Sequence, residues 1–119
     1  NLILAGRRIL SFGPRFVIIK KGEHGAMLVT ADRVFVLPAY PTTEVRDPTG
    51  AGDSFAGGMM GYLATCPSHA FDDVKRALVR GTMTASYTIE DFGVNRIRAI
   101  TQADIERRLR EYADAMHFD

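Results

Sequence analysis

The run Asp47-Pro48-Thr49-Gly50-Ala51-Gly52-Asp53-Ser54-Phe55-Ala56-Gly57-Gly58 constrains this chain more than any other stretch. Asp-Pro-Thr-Gly is turn chemistry, and a helix-compatible apolar run follows it as far as Leu63. The segment therefore reads as a loop feeding a helix N-terminus. Gly50 and Gly52 lack a Cβ, so backbone N–H groups there can approach a ligand closely. Unpaired N–H groups and the positive end of the helix dipole make such a place an anion site. Asp53 stands at the same place, where a carboxylate would repel a phosphate that was merely bound. It makes sense if the phosphate is transferred and Asp53 accepts the proton of the attacking hydroxyl. The plain alternative is a carboxylate that complements the helix dipole, contributing ~0.3–1 kcal/mol.

Two other phosphate devices are excluded. Phe55 occupies the place where a dinucleotide fingerprint needs its third small residue, and no Gly-x-x-x-x-Gly-Lys-Ser/Thr occurs.

The rest of the chain holds both helical and strand-like segments. Leu2, Ala5, Gly6, Ile9 and Leu10 recur at helical spacing over residues 2–12, and Gly13-Pro14 ends the run. Residues 16–20 are a β-branched run that reads as a buried strand. Lys21 to Gly25 form a glycine-punctuated turn. Residues 26–30 and 33–37 read as two strands joined tightly at Ala31-Asp32. Pro38 to Arg46 is an irregular approach to the signature. The signature helix spans 51–64 and carries Gly57, Gly58 and Gly61, each costing about 1 kcal/mol of helix propensity relative to Ala. Something must pack closely against it. Asp72 is suited to cap the next helix, with Val74, Leu78, Gly81, Ala85 and Ile89 on its inner face. Phe92-Gly93-Val94 is a break. Thr101 and Asp104 resemble a capping box, and the last helix turns Ile105, Leu109, Tyr112 and Met116 to one side. Arg107, Arg108 and Arg110, offset by Glu106 and Glu111, read as a solvated face.

The signature resembles the C-terminal motif of the ribokinase-like, pfkB-type carbohydrate kinases, roughly Asp-Thr-x-Gly-Ala-Gly-Asp-x-Phe. Pro48 departs from it where Thr is commoner. Val17-Ile18-Ile19-Lys20-Lys21-Gly22-Glu23-His24-Gly25-Ala26 is similar to the family's strand-Lys-x-Gly-x-x-Gly nucleotide loop. The resemblance implies an α/β fold, the ribokinase-like three-layer sandwich. Only its C-terminal part would be present, so that residues 1–119 form a single partial domain. The family's sugar-binding strands, lid and Asn-x-x-Glu magnesium motif would lie upstream of Asn1.

For function, the resemblance implies transfer of the γ-phosphate of ATP, with Mg2+, to a hydroxyl of a sugar or nucleoside. Asp53 would be the catalytic base, and the amides of Gly50, Ala51 and Gly52 an anion hole. Gly22 and Gly25 would let the backbone approach the nucleotide, with Lys20 and Lys21 near its phosphates; solvated lysines on an ordinary hairpin turn are the alternative. Thr82 matches a position near the adenine, although Gly81, Thr82, Ala85 and Ser86 equally suit a close helix neighbour. Asp47 and Thr49 match positions that lend oxygens to a monovalent-cation (K+) site, and Asp47 also suits a turn-starting carboxylate. A non-catalytic nucleotide-binding or assembly module is the competing reading, because the substrate-binding half is missing.

The net charge of +1 implies no field for nucleic acid or membrane, and no apolar run approaches the ~18 residues of a membrane span. Cys66 stands alone, which excludes an internal disulfide and fits a reducing cytoplasm. His24, His69 and His117 are isolated from any metal-ligand set. A sheet edge and apolar surface left uncovered in a partial domain imply self-association.

Overall fold

The computed structural model describes residues 1–117. The chain forms two compact units, Asn1–Ala39 and the remainder from Tyr40 onward.

The first unit holds helix α1 (Leu2–Leu10) and strands β1 (Val17–Lys20), β2 (Ala26–Val29) and β3 (Val34–Leu37). The Asn1 side chain caps α1 by accepting from the amides of Ile3 and Leu4. The helix stops at Leu10, earlier than the pattern predicts, and its inward stripe is Ile3, Gly6 and Leu10. Leu2 and Ile9, expected on that stripe, are 45% and 46% exposed. Gly6 sets the contact, because a Cβ there would stand 3.2 Å from the Val29 side chain.

The strands form an antiparallel meander in the order β1-β2-β3, pairing Val17 with Val29, Lys20 with Ala26, and Ala26 with Leu37. Only the central β2 is buried throughout. The expected buried strand at 16–20 is a half-buried edge strand instead, since it has a neighbour on one side alone. The β2–β3 connection is as tight as Ala31-Asp32 implies. Thr30 donates its amide to Arg33 at 2.9 Å and its hydroxyl to Asp32 at 3.2 Å.

The second unit is helical: α2 (Ala51–Leu63), α3 (Phe71–Thr88), α4 (Asn95–Ala99) and α5 (Gln102–Met116). Helices α2 and α3 lie antiparallel, since contacts along one run in reverse order along the other. Ser54 meets Thr88, Gly58 meets Thr84, and Tyr62 meets Arg80. Val74, Ala77, Leu78, Met83 and Tyr87 of α3 fill the core together with Phe55 and Leu63 of α2 and Tyr112 of α5. Ala85 and Ile89, expected inside, are only half-buried. The N-cap of α3 is Ala70, without a side-chain cap, so Asp72 is not the cap. Asp72 and Asp73 lie in the first turn, where their charges suit the dipole. The Thr101–Asp104 capping box is present in both directions. Met116, expected on the inner face of α5, is 39% exposed. No helix among the described residues is long and apolar enough to cross a membrane.

Candidate active site

The signature folds as a turn locked onto a helix start. Asp47 accepts the Thr49 amide at 3.0 Å through one carboxylate oxygen, an Asx turn. This bond holds the Asp47 carboxyl below the usual carboxylate range. The Ala51 amide then donates to the Pro48 carbonyl at 3.2 Å, closing a turn over Thr49 and Gly50. Gly50 has φ 82° and ψ 0°, the values of the third residue of a type II turn, where a side chain is disfavoured. Gly50 is also the N-cap of α2, so one glycine ends the turn and begins the helix. Asp53 follows in the first turn of α2 and is exposed.

The approach to this turn is fixed from α3. The amides of Arg46 and Asp47 both donate to the carbonyl of Ile89, at 2.8 and 3.2 Å. The Thr88 hydroxyl donates to the Ser54 hydroxyl at 2.7 Å, a tie to the first turn of α2 from the same end of α3. Glycines allow the two helices to close. A Cβ on Gly81 would lie 2.6 Å from the Phe55 carbonyl oxygen, and one on Gly58 would collide with the Thr84 side chain. The close neighbour that the glycines of α2 require is thus α3, at Gly58; Gly57 and Gly61 face open space.

Asp47, Thr49, Gly50, Ala51, Gly52 and Asp53 are therefore gathered at one helix start. Thr82 lies elsewhere, 9% exposed in the middle of α3, where its hydroxyl donates to the Leu78 carbonyl at 3.0 Å. Lys20, Gly22 and Gly25 belong to the first unit. Gly22 begins a short 3-10 turn and Gly25 follows it, with φ of 57° and 91°. A Cβ on Gly25 would collide with the Leu37 carbonyl, so glycine there serves the backbone of the hairpin itself. Lys20 ends β1 and is exposed. Among the described residues, no group of three His, Cys, Asp or Glu side chains is placed to hold a metal ion.

Arg108 departs from the expected solvated face. Its side chain is 13% exposed and pairs with Glu90 at 2.8 Å. It also donates to the Ser86 hydroxyl at 3.0 Å. Its guanidinium lies 3.6 Å from the Tyr87 ring centroid and 4.6 Å from that of Tyr40. Arg96 reaches the other oxygen of Glu90 at 3.4 Å. The signal that would have found Arg108 is its register: it stands three residues after Ile105 and four before Tyr112, on the buried stripe of α5. Arg107 and Arg110 are exposed as expected.

Comparison with known proteins gives the family and the fold. Residues 1–100 match the family model described as pfkB family carbohydrate kinase. The aminoimidazole riboside kinase of Salmonella typhimurium is 49% identical over 55 residues, which cover 44% of this chain and 17% of that protein. The nucleoside kinase of Methanocaldococcus jannaschii is 34% identical over 77 residues, covering 65% of this chain and 24% of that protein. Among solved structures, aminoimidazole riboside kinase from Salmonella enterica, complexed with aminoimidazole riboside and an ATP analog, superposes with a TM-score of 0.76 at 26% identity. The match covers 86% of this chain and 34% of that one. The fold is thus ribokinase-like, and the matched part spans a quarter or less of the length of these two curated relatives.

Proposed function

This chain belongs to the pfkB family of carbohydrate kinases, and from that premise we propose that it is the C-terminal catalytic part of an ATP-dependent kinase acting on a hydroxyl of a sugar or nucleoside. The two compact units would together make one partial domain of that longer, cytoplasmic enzyme. The observation that carries the reading is the locked turn. Gly50, in the left-handed region, ends it at the N-terminus of α2 and sets Asp53, exposed, in the first helical turn.

Phosphoryl transfer asks the protein mainly for placement and charge stabilisation. The start of α2 offers both, through its dipole and the amides of Gly50, Ala51 and Gly52. The Ala51 amide at present serves the turn, through a long bond to Pro48 that a stronger anionic acceptor would displace. Asp53 takes the proton as the substrate oxygen attacks the γ-phosphorus, and the bond from that phosphorus to the bridging oxygen of ADP breaks. The family resemblance assigns Lys20, Gly22, Gly25 and Thr82 to the nucleotide. Magnesium suits this scheme as a companion of the nucleotide phosphates, because it keeps several waters and takes phosphate oxygens readily. A potassium ion suits Asp47, whose carboxylate is held ionised by the Thr49 amide, with Thr49 beside it. The outer edges of β1 and β3, and apolar side chains such as Leu4 and Phe12, 64% and 75% exposed, support self-association of this piece when separated from the rest. A clean monomer in light scattering would count against that.

The test of the activity is ADP release by the full-length protein with MgATP against a panel of sugars and nucleosides. Turnover of one substrate class supports the kinase and identifies its acceptor. ATP binding without turnover on a broad panel would replace this reading with that of a non-catalytic nucleotide-binding module.

A further inference from the structure

The cluster around Arg108 lies at the end of α3 that anchors the signature. Glu90, the partner of Arg108, directly follows Ile89, whose carbonyl receives the amides of Arg46 and Asp47. Tyr40, on which the Arg108 guanidinium stacks, is the other end of the same approach segment. The Tyr40 hydroxyl donates to Glu111 at 3.3 Å, and its ring lies 6.2 Å from that of Tyr112, so the tyrosine is itself held on α5. Residues 40–47 are thus tied at both ends to one cluster: through Tyr40 at the start and through the Ile89 carbonyl at the end. From Asp47 the Asx turn, the Gly50 turn and the first turn of α2 follow without a slack residue.

We propose that Arg108 is a positioning residue for the signature loop, setting through Glu90 and Tyr40 the course of residues 40–47 and hence the placement of Asp53. This rests on the kinase reading above. Arg108 touches neither substrate nor nucleotide in this scheme. It suits the task because its planar fork engages Glu90 and Ser86 while its face stacks on two tyrosines, which a lysine cannot do.

The test uses Tyr40→Leu, Arg108→Lys and Arg108→Met in the full-length protein, assayed well below each variant's Tm. The expected result is a fall in kcat on the order of 10- to 100-fold in Arg108→Met, as for a displaced catalytic group, with KM for ATP near wild type. Arg108→Lys and Tyr40→Leu should lie between. If Arg108→Met does not accumulate as folded protein, the two milder variants carry the test. Amide exchange supplies a readout independent of activity. Exchange at residues 47–53 should quicken in Tyr40→Leu and Arg108→Lys while the amides of residues 74–83 in α3 keep wild-type protection. A merely structural role would lower Tm but leave both kcat and local exchange at 47–53 unchanged, and that result overturns the proposal. Asp53→Asn run alongside keeps the two readings apart. If it turns over normally, the base assignment fails and exchange at 47–53 alone decides the role of Arg108. If it is dead while the Arg108 and Tyr40 variants keep wild-type kcat, positioning fails and the base assignment stands.

Discussion

Helix α3 holds α2 and α5 by opposite means. Toward α2 it sets Gly81 against the Phe55 backbone and the Thr84 side chain against Gly58, with little space between. Toward α5 it offers charge and rings. Arg80 pairs with Glu106, the Tyr87 hydroxyl donates to the Asp104 carbonyl at 3.0 Å, and Arg108 fills the space beside Glu90, Ser86 and Tyr87. The first interface tolerates no added atom, and the second no lost partner. Both end at the same place, the C-terminus of α3, where Thr88 and Ile89 tie down the signature. The site is therefore held from one side by fit and from the other by paired charge.

Substitutions that treat the two interfaces differently sharpen this contrast. The largest stability loss is expected from Arg108→Met, which leaves Glu90 with Arg96 alone. Removing one partner of a buried pair costs ~3–5 kcal/mol, and the lower end applies because Arg96 remains. A denaturation midpoint within error of wild type would contradict the burial of this pair. Next comes Gly81→Ala, whose methyl would press on the Phe55 carbonyl at 2.6 Å. Overpacking there should cost ~1–3 kcal/mol, even though alanine favours the helix. A stabilised variant would mean that the helices can part at no cost.

Of the two interfaces, acid should act on the α5 side. The Arg80 hydrogen bond lowers the carboxyl of Glu106 from its ordinary 4.5, and the Thr101 amide lowers that of Asp104 from 3.8. A carboxyl depressed in the folded state stabilises above its ordinary value and loses that contribution as pH falls through the folded value. The wild type should thus lose stability as pH falls below the ordinary carboxylate values of 4.5 and 3.8, and Glu106→Gln should lose less over the same range. Parallel curves for the two proteins would remove Glu106 from the account. The smallest effect is a gain. Gly57→Ala and Gly61→Ala add methyl groups into open space, so helix propensity should stabilise each by up to ~1 kcal/mol. A loss at either site would show that α2 meets a neighbour there in the intact protein.

The two interfaces also differ in how legible they were. The signature turn, the tight connection at Ala31-Asp32 and the Thr101–Asp104 cap are local devices, whose partners lie within a few residues, and each could be read directly. Gly57, Gly58 and Gly61 implied a close neighbour, and of these three Gly58 meets one, because which glycine faces α3 depends on packing rather than composition. Asp72 had the chemistry of a cap, yet the cap position falls two residues earlier, at Ala70. Arg108 was misread because its burial depends on Glu90 and Tyr40, far along the chain, and local pattern weighs a run of arginines as solvated. Edge position likewise decided that β1 is half-buried, and a strand's own residues do not state its place in a sheet.

The central claim is that the turn locked by Asp47 and Gly50 exists to set Asp53 against a moving phosphate. The most direct measurement is steady-state turnover of Asp53→Asn in the full-length protein, with MgATP and the acceptor found on the substrate panel, beside a measurement of ATP binding. The account predicts a kcat lower by about 10²–10⁴-fold or more, with ATP bound as tightly as by the wild type. Wild-type kcat in Asp53→Asn would contradict it, leaving Asp53 as a carboxylate that complements the α2 dipole and nothing more.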